Sequence, residues 1–157
     1  MRNPRMLRSA VCVAVLGAVL VAPVSGASAS DASIKAVIKS YSPRILVAEG
    51  HVLTAIGRYK KSGNPSAVKS ALATSISVFG SLKSKIAAQS ASSTRVRAGQ
   101  AKFEKGLQKV ILAYRSLQTA FGEKRASPTA AKAEAKKALR AVKAGHKEIV
   151  EGAKLLS

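Results

Sequence analysis

Cysteine is nearly absent from this chain of 157 residues, since the single Cys12 lies in an apolar run near the N-terminus. One cysteine cannot form an internal disulfide, and no thiol nucleophile remains outside that run. The sequence therefore excludes a fold held by internal disulfides and catalysis by a folded-domain cysteine. Packing alone must stabilise the folded part, which favours a simple topology built from local contacts.

Acidic residues are also scarce, with 7 Asp and Glu against 27 Lys and Arg and a net charge of +20. The motifs G-x-S-x-G, H-E-x-x-H and G-x-G-x-x-G are missing, as is a phosphate loop. We therefore expect a non-enzymatic protein that uses no cofactor. The excess of positive charge predicts attraction to polyanions.

Only one long apolar run occurs, AVCVAVLGAVLVAPV at residues 10–24, and small residues with an A-x-A sequence ending at Ala29 follow it. Its 15 residues are fewer than the roughly 20 that span a bilayer as a helix. Basic, apolar and small-residue parts in this order are typical of a secretory signal peptide. We predict that residues 1–29 form such a peptide and are cleaved; retention as an N-terminal anchor is the alternative. The basic part consists of Arg2, Arg5 and Arg8.

Cleavage would place a strongly basic protein outside the cytoplasm. The three leader arginines would leave 24 Lys and Arg against 7 Asp and Glu, a net charge of +17. The expected partners at the cell envelope are wall polymers, acidic polysaccharides and anionic lipid, bound through salt-sensitive contacts. Nucleic acid would bind without sequence specificity, because the few aromatic residues are predicted in the core rather than free to stack on bases. The sequence indicates no particular protein partner.

Four segments rich in Ala, Leu, Val and Lys are separated by the breaker clusters KKSGNPS, QSASST and GEKRASP. Apolar residues recur within each segment at alternating steps of three and four, which is the spacing of an amphipathic helix. Short loops make consecutive helices antiparallel neighbours. The predicted fold of residues 30–157 is all-α, an up-down-up-down antiparallel four-helix bundle. Its helices are expected at about 31–60, 65–88, 94–121 and 128–156.

Several residues predict where these helices begin and end. An N-cap residue followed by proline predicts two helix starts, at Asn64-Pro65 and Ser127-Pro128. Left-handed residues are expected at Gly63 and Gly122, and Asp31 is expected to cap the first helix. Pro43 should kink the first helix near 39–43 or split it.

The two histidines occur in similar stretches, GHVLTAIG and GHKEIVEG, but helical geometry separates them. His51 lies about 90° from the first apolar stripe, whereas His146 falls on the fourth stripe, between Val142 and Ile149. Leu139 belongs to the same predicted stripe. Pairing the ends of the first and fourth helices places His146 level with Arg44. No metal site is therefore expected. Neither histidine has an obvious carboxylate partner, because Glu49 and Glu148 point to different faces of their own helices.

Glycines recur seven residues apart in the third and fourth predicted helices, at Gly99 and Gly106 and at Gly145 and Gly152. Glycine inside a helix costs about 1 kcal/mol relative to alanine. Both pairs flank their apolar stripes. We therefore predict that the third and fourth helices approach closely along this flank.

Basic residues form two rows that are the candidate binding site for a polyanion. The fourth-helix row lies within an arc of about 80° and about 33 Å of helix. The third-helix row is shorter. An alternative is that both rows only solvate the surface, and that the bundle is a structural or partner-binding module of the envelope whose charge serves solubility and retention. The fourth-helix row comprises Lys132, Lys136, Arg140, Lys143, Lys147 and Lys154, and the third-helix row comprises Arg95, Lys102, Lys105 and Lys109.

Overall fold

A computed structural model describes residues 29–123 and 128–156, and these residues form four helices and no strand. The all-α class with four helices is confirmed, and every helix boundary lies within two residues of its prediction. Residues 1–28 and Ser127 lie outside the described part, so the proposed leader and the Ser127 cap stay predictions. The helices are α1 (Ala29–Ser62), α2 (Ser66–Ala87), α3 (Thr94–Glu123) and α4 (Pro128–Leu156).

Backbones come close between consecutive helices, α1 with α2, α2 with α3 and α3 with α4. Contacts between α1 and α2 show antiparallel packing, because Ser33 bonds Gln89 near one end while Ser75 donates to the Ala48 carbonyl nearer the middle. α1 and α4 meet through side chains such as those of Glu49 and His146. The backbones of α1 and α4 therefore approach less closely than those of consecutive helices in the described part of the chain.

The turn between α1 and α2 follows its sequence signals. Gly63 has a left-handed φ of 70°, and its N–H donates to the Tyr59 carbonyl at 2.8 Å. The side-chain oxygen of Asn64 accepts the Ser66 N–H at 2.9 Å. The predicted glycine stop is confirmed, and Asn64 bonds an N–H at the start of α2. The helix itself begins at Ser66, one residue later than predicted, with Pro65 directly before it.

Two predicted helix ends are wrong. Gly122 does not close α3, which continues through Glu123, and Gly63 is the only glycine with positive φ among the described residues. Asp31 lies in the first turn of α1, because the helix begins two residues earlier than expected. The Asp31 carboxylate instead accepts bonds from the Ser92 N–H at 3.2 Å and the Ser92 hydroxyl at 2.5 Å. Asp31 thereby ties the loop after α2 to the start of α1.

α1 runs through Pro43 without a break, so the alternative that proline splits this helix is wrong. Proline has no N–H, and the Lys39 carbonyl one turn earlier therefore loses its helical donor. Ile38 and Ile45, on either side of Pro43, are each only 2% exposed and lie in the same core. Packing of both residues against the other helices outweighs the one lost bond.

The core follows the predicted stripes of α1, α2 and α3. Phe79 and Tyr114 pack edge to face at its centre, with ring centroids 5.8 Å apart. Ser75 is fully buried in this stripe, where its hydroxyl also bonds the Ala71 carbonyl. The largest fully buried side chains are Phe79, Phe103, Ile34, Ile38, Leu72, Leu82, Ile86 and Leu107.

Four glycines bring the backbones of α3 and α4 into contact. A Cβ added to Gly106 would lie 2.7 Å from the Gly145 carbonyl oxygen, and one added to Gly152 would lie 2.6 Å from the Phe103 backbone nitrogen. Real Cβ atoms do not approach other atoms this closely, so the contact requires glycine. The predicted close approach of these helices is confirmed. We call Gly99, Gly106, Gly145 and Gly152 the glycine interface.

The glycine interface also determines which side of α4 is buried. Leu139 was expected in the fourth apolar stripe, but the structure leaves it 56% exposed, while Ala138 is only 2% exposed. Gly145 and Gly152 face α3, which turns the buried side of α4 toward Ala138 and away from Leu139. Hydrophobicity alone ranks leucine above glycine as a core residue, and here close backbone packing reverses that order.

We expect Gly106→Ala and Gly152→Ala each to lower the free energy of unfolding. Overpacking of this kind costs about 1–3 kcal/mol, which exceeds the roughly 1 kcal/mol that alanine gains over glycine in a helix. Urea unfolding followed by circular dichroism measures the change.

Gly50 and Gly57 are matched controls, because a Cβ at either position meets nothing within 4 Å. We expect Gly50→Ala and Gly57→Ala to raise stability by up to about 1 kcal/mol. Equal effects of alanine at all four positions would contradict the steric account of the glycine interface.

Candidate functional site

All six side chains of the fourth-helix row are exposed. The centre of this row lies roughly 160–180° around α4 from Gly145 and Gly152. Because those glycines contact α3, the row faces away from α3. Lys147 also lies 3.9 Å from the Glu151 carboxylate one turn later.

The third-helix row lies beside the carboxylates of α4. Lys102 Nζ is 2.5 Å from Glu151, Lys109 pairs with Glu148, and Lys105 Nζ is 4.0 Å from Glu148. Three of its four cations therefore have acidic neighbours across the α3–α4 junction. Arg95, at the start of α3, is exposed. The sequence predicted both rows as candidates, with the fourth-helix row as the clearer one, and the structure gives the two rows different surroundings.

These pairs affect the carboxylates as well as the lysines. The hydrogen bond from Lys109 lowers the pKa of Glu148 against an opposing effect of desolvation, and the nearby charges of Lys105 and Lys109 lower it further. The hydrogen bond from Lys102 similarly lowers the pKa of Glu151. A lowered carboxyl pKa stabilises the fold above the ordinary value of 4.5, and this stabilisation is lost as pH falls through the folded-state pKa.

A polar cluster that the sequence did not predict lies where α1 meets α4. His146 Nε2 is 2.9 Å from Glu49 Oε1, and the Tyr114 hydroxyl donates to the same Glu49 oxygen at 3.2 Å. The side chain of Glu49 is only 6% exposed. His146 therefore has a carboxylate neighbour across the α1–α4 junction, which was not expected, although its Nε2 forms no hydrogen bond within the described residues. Glu49 and His146 come from helices distant in sequence, so spacing within either helix does not reveal their contact.

The predicted register of α1 against α4 also needs correction. His146 lies level with Glu49 rather than with Arg44, five residues further along α1 than expected. The prediction paired the ends of α1 and α4, whereas α4 takes its register from the glycine interface with α3. The two histidines are separated, because His146 lies on the α4 side of α1 and His51 lies on its α2 side.

His51 lies on the α1–α2 side. It is exposed and lines a shallow, mainly apolar groove of about 380 Å³ together with Arg44, Val47, Thr74 and Val78. His146 lies away from this groove, and its ring centroid is 6.5 Å from that of Phe79. Across the described residues, no group of three or more His, Cys, Asp or Glu is placed to hold a metal ion.

Tyr114 gives the buried cluster a measurable pH dependence. Burial raises the pKa of the Tyr114 phenol above its ordinary value of 10.0, and the charge of Glu49 and the hydrogen bond to it raise the pKa further. Above pH 10 the unfolded chain loses this proton while the folded chain keeps it, so folding stability falls as pH rises.

We expect the free energy of unfolding to fall more steeply with pH in the parent chain than in Tyr114→Phe. The difference should approach about 1.4 kcal/mol per pH unit above about pH 10, the value for one proton. Urea unfolding between about pH 9 and pH 11 measures both slopes. Lysine side chains also titrate in this range, but they do so in both proteins and therefore cancel in the difference. Parallel slopes would show that Tyr114 ionises as easily in the folded chain as in the unfolded one.

None of the described helices has an apolar stretch long enough to cross a membrane. Comparison with known protein families, curated proteins and solved structures found no significant match. The side chains and their geometry must therefore supply the argument for function.

Proposed function

We propose that this chain is an exported, non-enzymatic protein that binds anionic polymers or surfaces of the cell envelope through the fourth-helix row. The observation that supports the proposal is the contrast between the two basic rows. Lys102, Lys105 and Lys109 lie against acidic residues of α4. The fourth-helix row is exposed, faces away from α3 and approaches a carboxylate chiefly at Glu151, beside Lys147. The fourth-helix row is therefore the better site for an external anion.

The geometry of the row suits an extended partner. Its cations occupy one side of α4 over about 33 Å at 1.5 Å per residue. An extended polymer or surface bearing repeated phosphate or carboxylate groups can contact several cations at once. Each contact releases a counterion, so the affinity should fall steeply as salt increases.

The buried ionisable groups favour a binding protein over an enzyme. Glu49 contacts His146 and Tyr114 in the interior, and Asp31 at the start of α1 contacts Ser92 in the loop after α2. Both carboxylates thereby connect separate parts of the fold. A structural role accounts for these contacts without a substrate.

Export is the second part of the proposal, and it rests on the sequence. Residues 1–29 have the basic, apolar and small-residue order of a secretory signal, and the net charge of +17 predicted after cleavage suits retention at an anionic envelope. Wall polymers, acidic polysaccharides and anionic lipids are the partner classes that this charge favours.

A four-residue variant tests the role of the fourth-helix row: Lys136→Gln, Arg140→Gln, Lys143→Gln and Lys147→Gln together. We expect it to elute from immobilised heparin at clearly lower salt than the parent. The slope of log affinity against log salt should become shallower by about 3 to 4, since each lost contact removes nearly one unit.

The matched control removes the same charge from the third-helix row, with glutamine at Arg95, Lys102, Lys105 and Lys109. We expect a smaller change, at most about one unit of salt slope, because three of these cations already have acidic neighbours. Equal losses in both variants would contradict a localised site. Elution of the parent at low ionic strength, with no effect of the fourth-helix variant, would favour the alternative of a structural or partner-binding module.

A further inference from the structure

Three exposed leucines flank the junction of α1 and α4. Leu46 is 39% exposed, Leu53 47% and Leu139 56%. The contact between Glu49 and His146 shows which side of α1 faces α4. Leu46 and Leu53 lie within about 60° of Glu49 around α1, on its outer side, and Leu139 lies about 20° from His146 around α4. All three leucines therefore flank the same junction.

Cations surround these leucines on both helices. On α1 the exposed Lys39 lies seven residues before Leu46, and the exposed Lys60 lies seven residues after Leu53. This spacing places each lysine within about 20° of its leucine around the helix. On α4, Lys132 is the member of the fourth-helix row that lies nearest to Leu139 around the helix. It is about 20° from Leu139, on the side away from His146. We call this surface the α1–α4 face; it comprises Lys39, Leu46, Leu53, Lys60, Leu139 and the fourth-helix row.

Most acidic side chains of these two helices lie away from this face. Asp31 and Glu49, the acidic residues of α1, are both buried. On α4, Glu148 pairs with Lys109 of α3, and Glu134 lies on the same side of the helix as Gly152. Glu151 lies at the edge of the fourth-helix row, near Lys102 of α3 and Lys147 of the row. The α1–α4 face thus combines exposed leucine with a large excess of positive charge over the described residues.

We infer that the α1–α4 face docks on an anionic lipid bilayer. This inference rests on the proposed function and narrows its partner from anionic material in general to a lipid surface. A soluble polyanion would contact the cations and leave the leucines in water. A bilayer offers phosphate groups to the cations and, a few ångströms deeper, an apolar layer to the leucines.

Charge also argues against a second copy of the chain as the partner. Self-association through this face would bring two basic rows together, and their repulsion would oppose the burial of three leucines. An anionic bilayer removes that repulsion. It also has the lateral extent to contact two neighbouring helices along their length.

The test compares binding to vesicles with binding to heparin. Vesicles contain equal parts of phosphatidylglycerol and phosphatidylcholine, and the leucine variant combines Leu46→Ser, Leu53→Ser and Leu139→Ser. We expect this variant to bind these vesicles at least about tenfold more weakly than the parent, because three apolar side chains no longer enter the bilayer. Its elution from heparin should be unchanged, because every cation is retained.

The matched control combines Val47→Ser and Leu112→Ser. These side chains are also exposed, at 58% and 49%, but Val47 lines the α1–α2 groove and Leu112 lies on α3. We expect the control to bind vesicles within about twofold of the parent. All proteins in the comparison carry the same N-terminal segment, so differences between them belong to the folded surface.

A tryptophan probe reports depth independently, since the chain has no tryptophan of its own. Leu139→Trp should shift its emission to shorter wavelength on anionic vesicles, and Leu112→Trp should not.

Equal losses in the leucine and control variants, or equal shifts of both probes, would overturn the bilayer inference. Strong heparin retention without binding to anionic vesicles would overturn it and leave the proposed function standing. Failure to bind both would remove the proposed function itself.

Discussion

The contact between α3 and α4 at the glycine interface is the constraint on which the rest of this structure depends. A Cβ at Gly106 or Gly152 would lie within 2.7 Å of backbone atoms of the facing helix, so the two helices can come this close only through glycine. That contact orients and positions α4. It places Ala138 in the interior, leaves Leu139 in solvent and sets His146 level with Glu49.

The same contact separates the positive charge of the protein into two environments. Lysines of α3 come beside Glu148 and Glu151, and both carboxylates have lowered pKa values as a result. The fourth-helix row is left on the opposite side of α4. A chain with few acidic residues thus uses two of them to hold α3 against α4. The proposed binding function uses the charge that remains exposed.

The sequence predicts the helices and the glycine contact because both depend on spacing within a segment. Steps of three and four place Phe79, Leu107 and Ile38 in the core, and all are buried. Leu139 could not be placed in the same way, since its exposure depends on how far α4 rotates toward α3. The Glu49–His146 contact depends on the register between helices distant in sequence. Neither rotation nor register appears in the periodicity of one helix.

Lysine acylation footprinting in the presence and absence of anionic vesicles tests the central claim most directly, because it compares each lysine with itself. The claim is that the orientation of α4 makes its outward row the binding surface. Binding should protect Lys136, Lys143 and Lys147 strongly, while Lys102 and Lys105 on α3 should react at nearly the same rate in both conditions. Equal protection of both rows, or protection confined to α3, would contradict it.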